Sequence, residues 1–135
     1  MAIEKDLFFP VEEYQGRVTA VQHKLEEAGA DALLVHQTHN IFYLTGYHAG
    51  GSPNYQFLLV PKKGDPILLV RELEKKLVDY YSWMTNIFSW EDTEEPIGVT
   101  KKVIAKAGLG DARVGYEGTS NWITPRRVAL FKENM

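Results

Sequence analysis

Apolar residues recur at spacings of three and four through VEEYQGRVTAVQHKLEEAGAD (residues 11–31). Val11, Tyr14, Val18, Val21, Leu25 and Ala28 therefore share one face of a predicted helix. Pro10 suits its first turn, Glu12 and Glu13 suit the positive end of its dipole, and Gly29 can take the left-handed conformation that ends it. His23 falls off the apolar stripe, on the flank facing water. The short run DALLVH that follows reads as a buried strand. Two more apolar runs, Gln56 to Val60 and Pro66 to Val70, flank PKKGD, whose proline, glycine and aspartate mark a hairpin loop.

Further along, ELEKKLVDYYSW places Leu73, Leu77, Val78 and Tyr81 on one face of a second helix, and NIFSW reads as a short strand. In DTEEPIGVTKKVIAKAGLGD, Asp92 or Thr93 is the expected cap and Pro96 fits the first turn. Val99, Val103, Ile104 and Ala107 form the apolar face, and Gly108 is the stop. ARVGYE is a further strand, and Thr124 with Pro125 starts a last helix at which the chain stops. The order is helix, strand, hairpin, helix, strand, helix, strand, helix. Alternation of this kind predicts an α/β fold with a mixed, mostly parallel sheet flanked by helices, the hairpin supplying its antiparallel pair.

Length and composition fit one soluble domain: 135 residues, 44% hydrophobic and 24% charged. The net charge of −3 and scattered Lys/Arg pairs exclude a nucleic-acid footprint. No cysteine is present, which rules out disulfides, zinc thiolate sites and cysteine nucleophiles. No secretory signal pattern opens the chain and no stretch of about 18 apolar residues suggests a membrane span. A cytoplasmic protein with neither nucleic acid nor membrane as partner is the expectation.

Three of the four histidines, His36, His39 and His48, lie within HQTHNIFYLTGYHAGG (residues 36–51). Three histidines with an open position can hold zinc. Here, however, His36 ends a predicted strand and helical geometry is expected only from near Asn40. No carboxylate lies between Asp31 and Asp65 to orient such a set. Histidines bonded to backbone at a strand end are the better reading. Gly50 and Gly51 lead into a strand rather than a helix, so they bend the chain and do not cradle a phosphate. Ser52, Ser82 and Ser89 lack a nucleophile elbow, and Glu26-Glu27 and Glu94-Glu95 read as solvated helix faces. The residues make up no complete catalytic or metal constellation.

The order of motifs nonetheless resembles a known family. Glu13, Tyr14 and Arg17 precede the strand Asp31 to Val35. Ile41 and Tyr43 to Gly46 follow, then the apolar hairpin, then Arg71, Leu73 and Glu74. Across roughly residues 8 to 117 this is similar to the N-terminal domain of the creatinase/prolidase/aminopeptidase P group. The resemblance implies a ribonuclease-H-like topology and a single domain over residues 1–135. It also implies a partner catalytic domain, absent from this chain, and a homodimer or higher oligomer. In peptidase members that second domain holds two divalent ions (manganese, cobalt or zinc), so this chain alone is expected to be inactive and free of cofactor. The loop Tyr47 to Tyr55 is implied to reach a neighbouring subunit's substrate mouth, with His48, Asn54, Tyr55 and Arg71 as candidate substrate contacts. The parent is then an Xaa-Pro dipeptidase-like or creatinase-like hydrolase. A non-enzymatic peptide- or protein-binding module is the alternative.

Overall fold

The computed structural model describes residues 5–48, 55–117 and 129. The helix expected from Thr124 lies outside them. Nine elements follow in chain order: α1 (Val11–Ala28), β1 (Ala32–Val35), α2 (Thr38–Thr45), β2 (Phe57–Pro61) and β3 (Ile67–Arg71). After a 3₁₀ turn (Glu72–Glu74) come α3 (Lys75–Tyr81), β4 (Ile87–Trp90), α4 (Pro96–Lys106) and β5 (Val114–Tyr116). The five strands form one sheet in the order β4-β3-β2-β1-β5.

The mixed sheet with flanking helices is present as expected, but its balance is even rather than mostly parallel. β3–β4 and β1–β5 pair in parallel, while β2 pairs antiparallel with β3 and also with β1. The hairpin explains only the first antiparallel pair. The second arises because the chain re-enters beside β1 running the other way, with Ala32 opposite Pro61 and Val35 opposite Leu58.

Strict alternation along the strands divides the core in two. Leu58, Val60, Leu68 and Val70 face a cluster with Val18, Leu25, Ile41, Leu44 and Val78, covered by α1, α2 and α3. Their neighbours Phe57, Leu59, Ile67 and Leu69 face Ile97, Val103 and Ile104 of α4. Both sheet faces are therefore dry, which is why the strands read as continuous apolar runs and not as alternating ones.

Three local expectations are corrected. α2 begins at Thr38, not near Asn40, and forms two turns where a strand-to-turn bend was expected. No side chain of its own caps it. Instead Glu117, just past β5, accepts the N–H groups of His36 and Gln37 and the side-chain amide of Asn40. A carboxylate from beyond β5 thus holds the backbone at the entry to α2 and the Asn40 amide of its first turn. In α3 only Val78 is buried; Leu73 is 74% and Leu77 46% exposed. Finally, α4 is capped by Glu95, whose carboxylate accepts from the Ile97 N–H, because Asp92 is held by Arg71.

Candidate functional site

At the carboxyl end of β1, β3, β4 and β5 the sheet gathers polar side chains, the position where ligands bind in open α/β sheets. Arg71 closes β3, and its guanidinium grips Asp92 with two bonds, Nε to Oδ1 at 2.6 Å and Nη2 to Oδ2 at 2.7 Å. The hydrogen bonds to Arg71 hold the Asp92 carboxyl below its ordinary range and push the guanidinium up. The neighbouring Glu72 carboxylate accepts from the Ser89 hydroxyl. Tyr47 donates to Glu74 at 2.9 Å, and burial first, then that carboxylate, raises its phenol well above the usual range.

One strand inward, a buried relay joins β1, β2 and α4. Thr100 donates to the Pro96 carbonyl at 2.7 Å, so its oxygen accepts from the Tyr55 hydroxyl at 3.0 Å. The Tyr55 oxygen then faces His36 Nε2 at 3.4 Å. His36 and Thr100 are 0% exposed and Tyr55 2%. Such a network is a positioning device: the two hydroxyls and the imidazole Nε2 meet one another where water cannot reach them.

On the helical side lies a pocket of about 410 Å³ walled by Phe8, Phe42, Gly46, His48 and Tyr81. Gly46 ends α2 at φ +86°, where only glycine is unstrained. A Cβ there would stand 2.9 Å from the Tyr81 carbonyl oxygen and 3.1 Å from the Tyr14 hydroxyl, so glycine also permits the close approach of α1 and α3. The N-terminal segment reaches this corner because Lys5 is fastened to the end of α3, its ammonium on the carbonyls of Asp79 (2.7 Å) and Ser82 (2.8 Å). Phe9 and Tyr43 then sandwich the Arg17 guanidinium at 4.6 and 4.2 Å from their ring centres.

The four candidate contacts meet different fates. His48 is exposed on the pocket wall, its ring edge-on to Phe42. Tyr55 sits in the core within the relay, and Arg71 is occupied by Asp92. Asn54 lies outside the described residues. Among the described residues, the pocket that His48 lines does not include Arg71. Sequence reasoning missed Phe8, Phe42, Tyr81, Thr100 and Glu117; the one visible signal was Phe8, an apolar residue ahead of the first helix.

Among the described residues no three His, Cys, Asp or Glu side chains are placed to hold a metal ion. His36 is enclosed by Tyr55 and Phe57, whereas His39 and His48 face outward.

A family model described as the creatinase/prolidase N-terminal domain matches residues 17–135. The chain belongs to the creatinase/prolidase N-terminal domain family. An uncharacterized peptidase of Staphylococcus epidermidis is 28% identical to this family member over 90 residues, 67% of this chain and 26% of that protein. An ectoine hydrolase of Halomonas elongata is 29% identical over 82 residues, 61% of this chain and 21% of that protein. The chain thus spans about a quarter of the length of the curated relatives it matches. Among solved structures, the N-terminal domain of an Xaa-Pro dipeptidase from Lactobacillus brevis superposes with a TM-score of 0.77 at 17% identity, covering 88% of this chain and 87% of that one. That likeness establishes the fold.

Proposed function

We propose that this chain is the non-catalytic N-terminal domain of a larger Xaa-Pro dipeptidase-like or creatinase-like hydrolase. Its task there is to shape substrate access and to support oligomerisation. The observation that carries the reading is the family match over residues 17–135, together with relatives of which the matched segment makes up about a quarter. The chemistry, and the divalent ions that the resemblance implies, then belong to the remainder of such a protein. Of the candidate contacts, His48 has the accessibility that a substrate-side role requires, and Arg71 would have to leave Asp92 to serve one. Support for assembly comes from the apolar row that Leu73 of the 3₁₀ turn forms with Leu77, Tyr80 and Tyr81 of α3, all of which lie open.

The test compares this 135-residue chain with the full-length gene product for hydrolysis of Xaa-Pro dipeptides in manganese-containing buffer. The longer protein should turn over substrate and the chain alone should not. Metal-dependent turnover by the chain itself would overturn the reading. A full-length protein that cleaves neither dipeptides nor other small amides would favour the binding-module alternative, for which the same open row on α3 supplies the surface.

A further inference from the structure

The pocket beside Gly46 has an aromatic composition that the peptidase reading, which draws only on His48 and Tyr81 there, leaves unexplained. We propose that it binds an alkylated ammonium ion, a choline-like head group or methylated amine. Its described walls include Phe8, Phe42, Tyr81 and the His48 imidazole, and among the described residues no lysine, arginine or carboxylate lines it. The rings meet at steep angles, as the sides of a box do. Phe42 lies 5.7 Å from Phe8 at 74° and 5.7 Å from His48 at 88°, while Tyr80 props Tyr81 edge-on at 4.8 Å.

Aromatic faces carry negative quadrupole density and attract a cation placed over them. Behind the glycine wall the nearest polar atoms are oxygens, the Tyr81 carbonyl and the Tyr14 hydroxyl. That hydroxyl is buried, on a residue 1% exposed, and has no hydrogen-bond partner. The same end of α3 already collects one amine cation, the Lys5 ammonium on two neighbouring carbonyls. The ring faces present partial negative charge to the pocket, and the Tyr81 carbonyl oxygen lies beside its glycine wall.

The aromatic character of the described walls, which hold no carboxylate, favours one kind of cation. A primary ammonium would lose three strong water contacts and find no anionic acceptor in return. An alkylated ammonium spreads its charge over methyl groups and needs no such acceptor. The volume of about 410 Å³ is within the range of small-molecule sites. Nothing in this inference rests on hydrolysis of a peptide, and its test uses no substrate.

The experiment is an NMR titration of the 135-residue chain with choline and, separately, with its uncharged tert-butyl isostere, following the ring resonances of Phe8, Phe42 and Tyr81. Choline should give saturable shifts, and the isostere should bind at least about five-fold more weakly. Phe8→Ala, at a side chain 77% exposed, should fold normally and weaken choline about two- to five-fold. Tyr81→Leu should do the same, and Phe8→Tyr should keep the affinity. Equal binding of the isostere would overturn the proposal by making the pocket merely apolar. So would the lack of saturable binding, or choline shifts that neither Phe8→Ala nor Tyr81→Leu alters.

Discussion

Gly46 combines two demands that are separable by experiment. Its φ of +86° costs an alanine about 1–2 kcal/mol, and the Tyr81 carbonyl 2.9 Å from the Cβ position adds the strain of overpacking, about 1–3 kcal/mol. Gly64 has φ +99° but open space around it, so it isolates the first demand. Urea unfolding should show Gly64→Ala losing about 1–2 kcal/mol and Gly46→Ala clearly more. Equal losses would mean that α3 yields freely at Tyr81. No local pattern in the sequence announces that Tyr14 and Tyr81, each some thirty residues away along the chain, close on this glycine. The same limit applies to Tyr55, expected on a loop and found in the core because Thr100 and His36 supply partners no local pattern reveals.

At the scale of elements, α3 shows how periodicity can name a helix and misplace its buried face. The spacing of Leu73, Leu77, Val78 and Tyr81 is helical, and a helix is there, but a 3₁₀ turn precedes it and only Val78 enters the core. One residue anchors the element. Val78→Ala should cost about 2–3 kcal/mol through lost burial and a cavity, while Leu77→Ala should stay within about 0.5 kcal/mol. Comparable losses in thermal or urea unfolding would show that Leu77 is covered within the isolated chain. α2 was illegible for the opposite reason: its cap, Glu117, comes from beyond β5, so its start carries no local signature. α1 was legible throughout, since its apolar stripe and glycine stop all act within the segment.

At the scale of the whole molecule, the alternating cores on two sheet faces explain why element order and family resemblance were readable while strand pairing was not. Apolar runs between glycine- and proline-marked turns specify buried strands, yet they leave open which strand lies beside which. Register is fixed instead by tertiary contacts, and Asp31 supplies several at the lower edge. Its main chain bonds to Arg113 and Lys62, and its carboxylate accepts the Arg113 N–H at 2.8 Å and faces the Lys62 ammonium at 3.5 Å. One residue therefore ties the beginning of β1 to the approach to β5 and the end of β2. The Arg113 hydrogen bond is the main cause that lowers its carboxyl pKa, with Lys62 assisting. Because the folded pKa lies below the unfolded value of about 3.9, the folded state favours the carboxylate. The stabilisation is fully present above the unfolded pKa and fades as pH falls through the folded one. Asp31→Asn removes the charge at every pH but keeps an oxygen for the Arg113 N–H. The stability gap between wild type and Asp31→Asn, measured by urea unfolding, should be constant from about pH 7 to pH 5 and shrink below about pH 4. A gap that stays constant down to about pH 2, or widens there, would show that the charge of Asp31 contributes nothing to holding the three strands together.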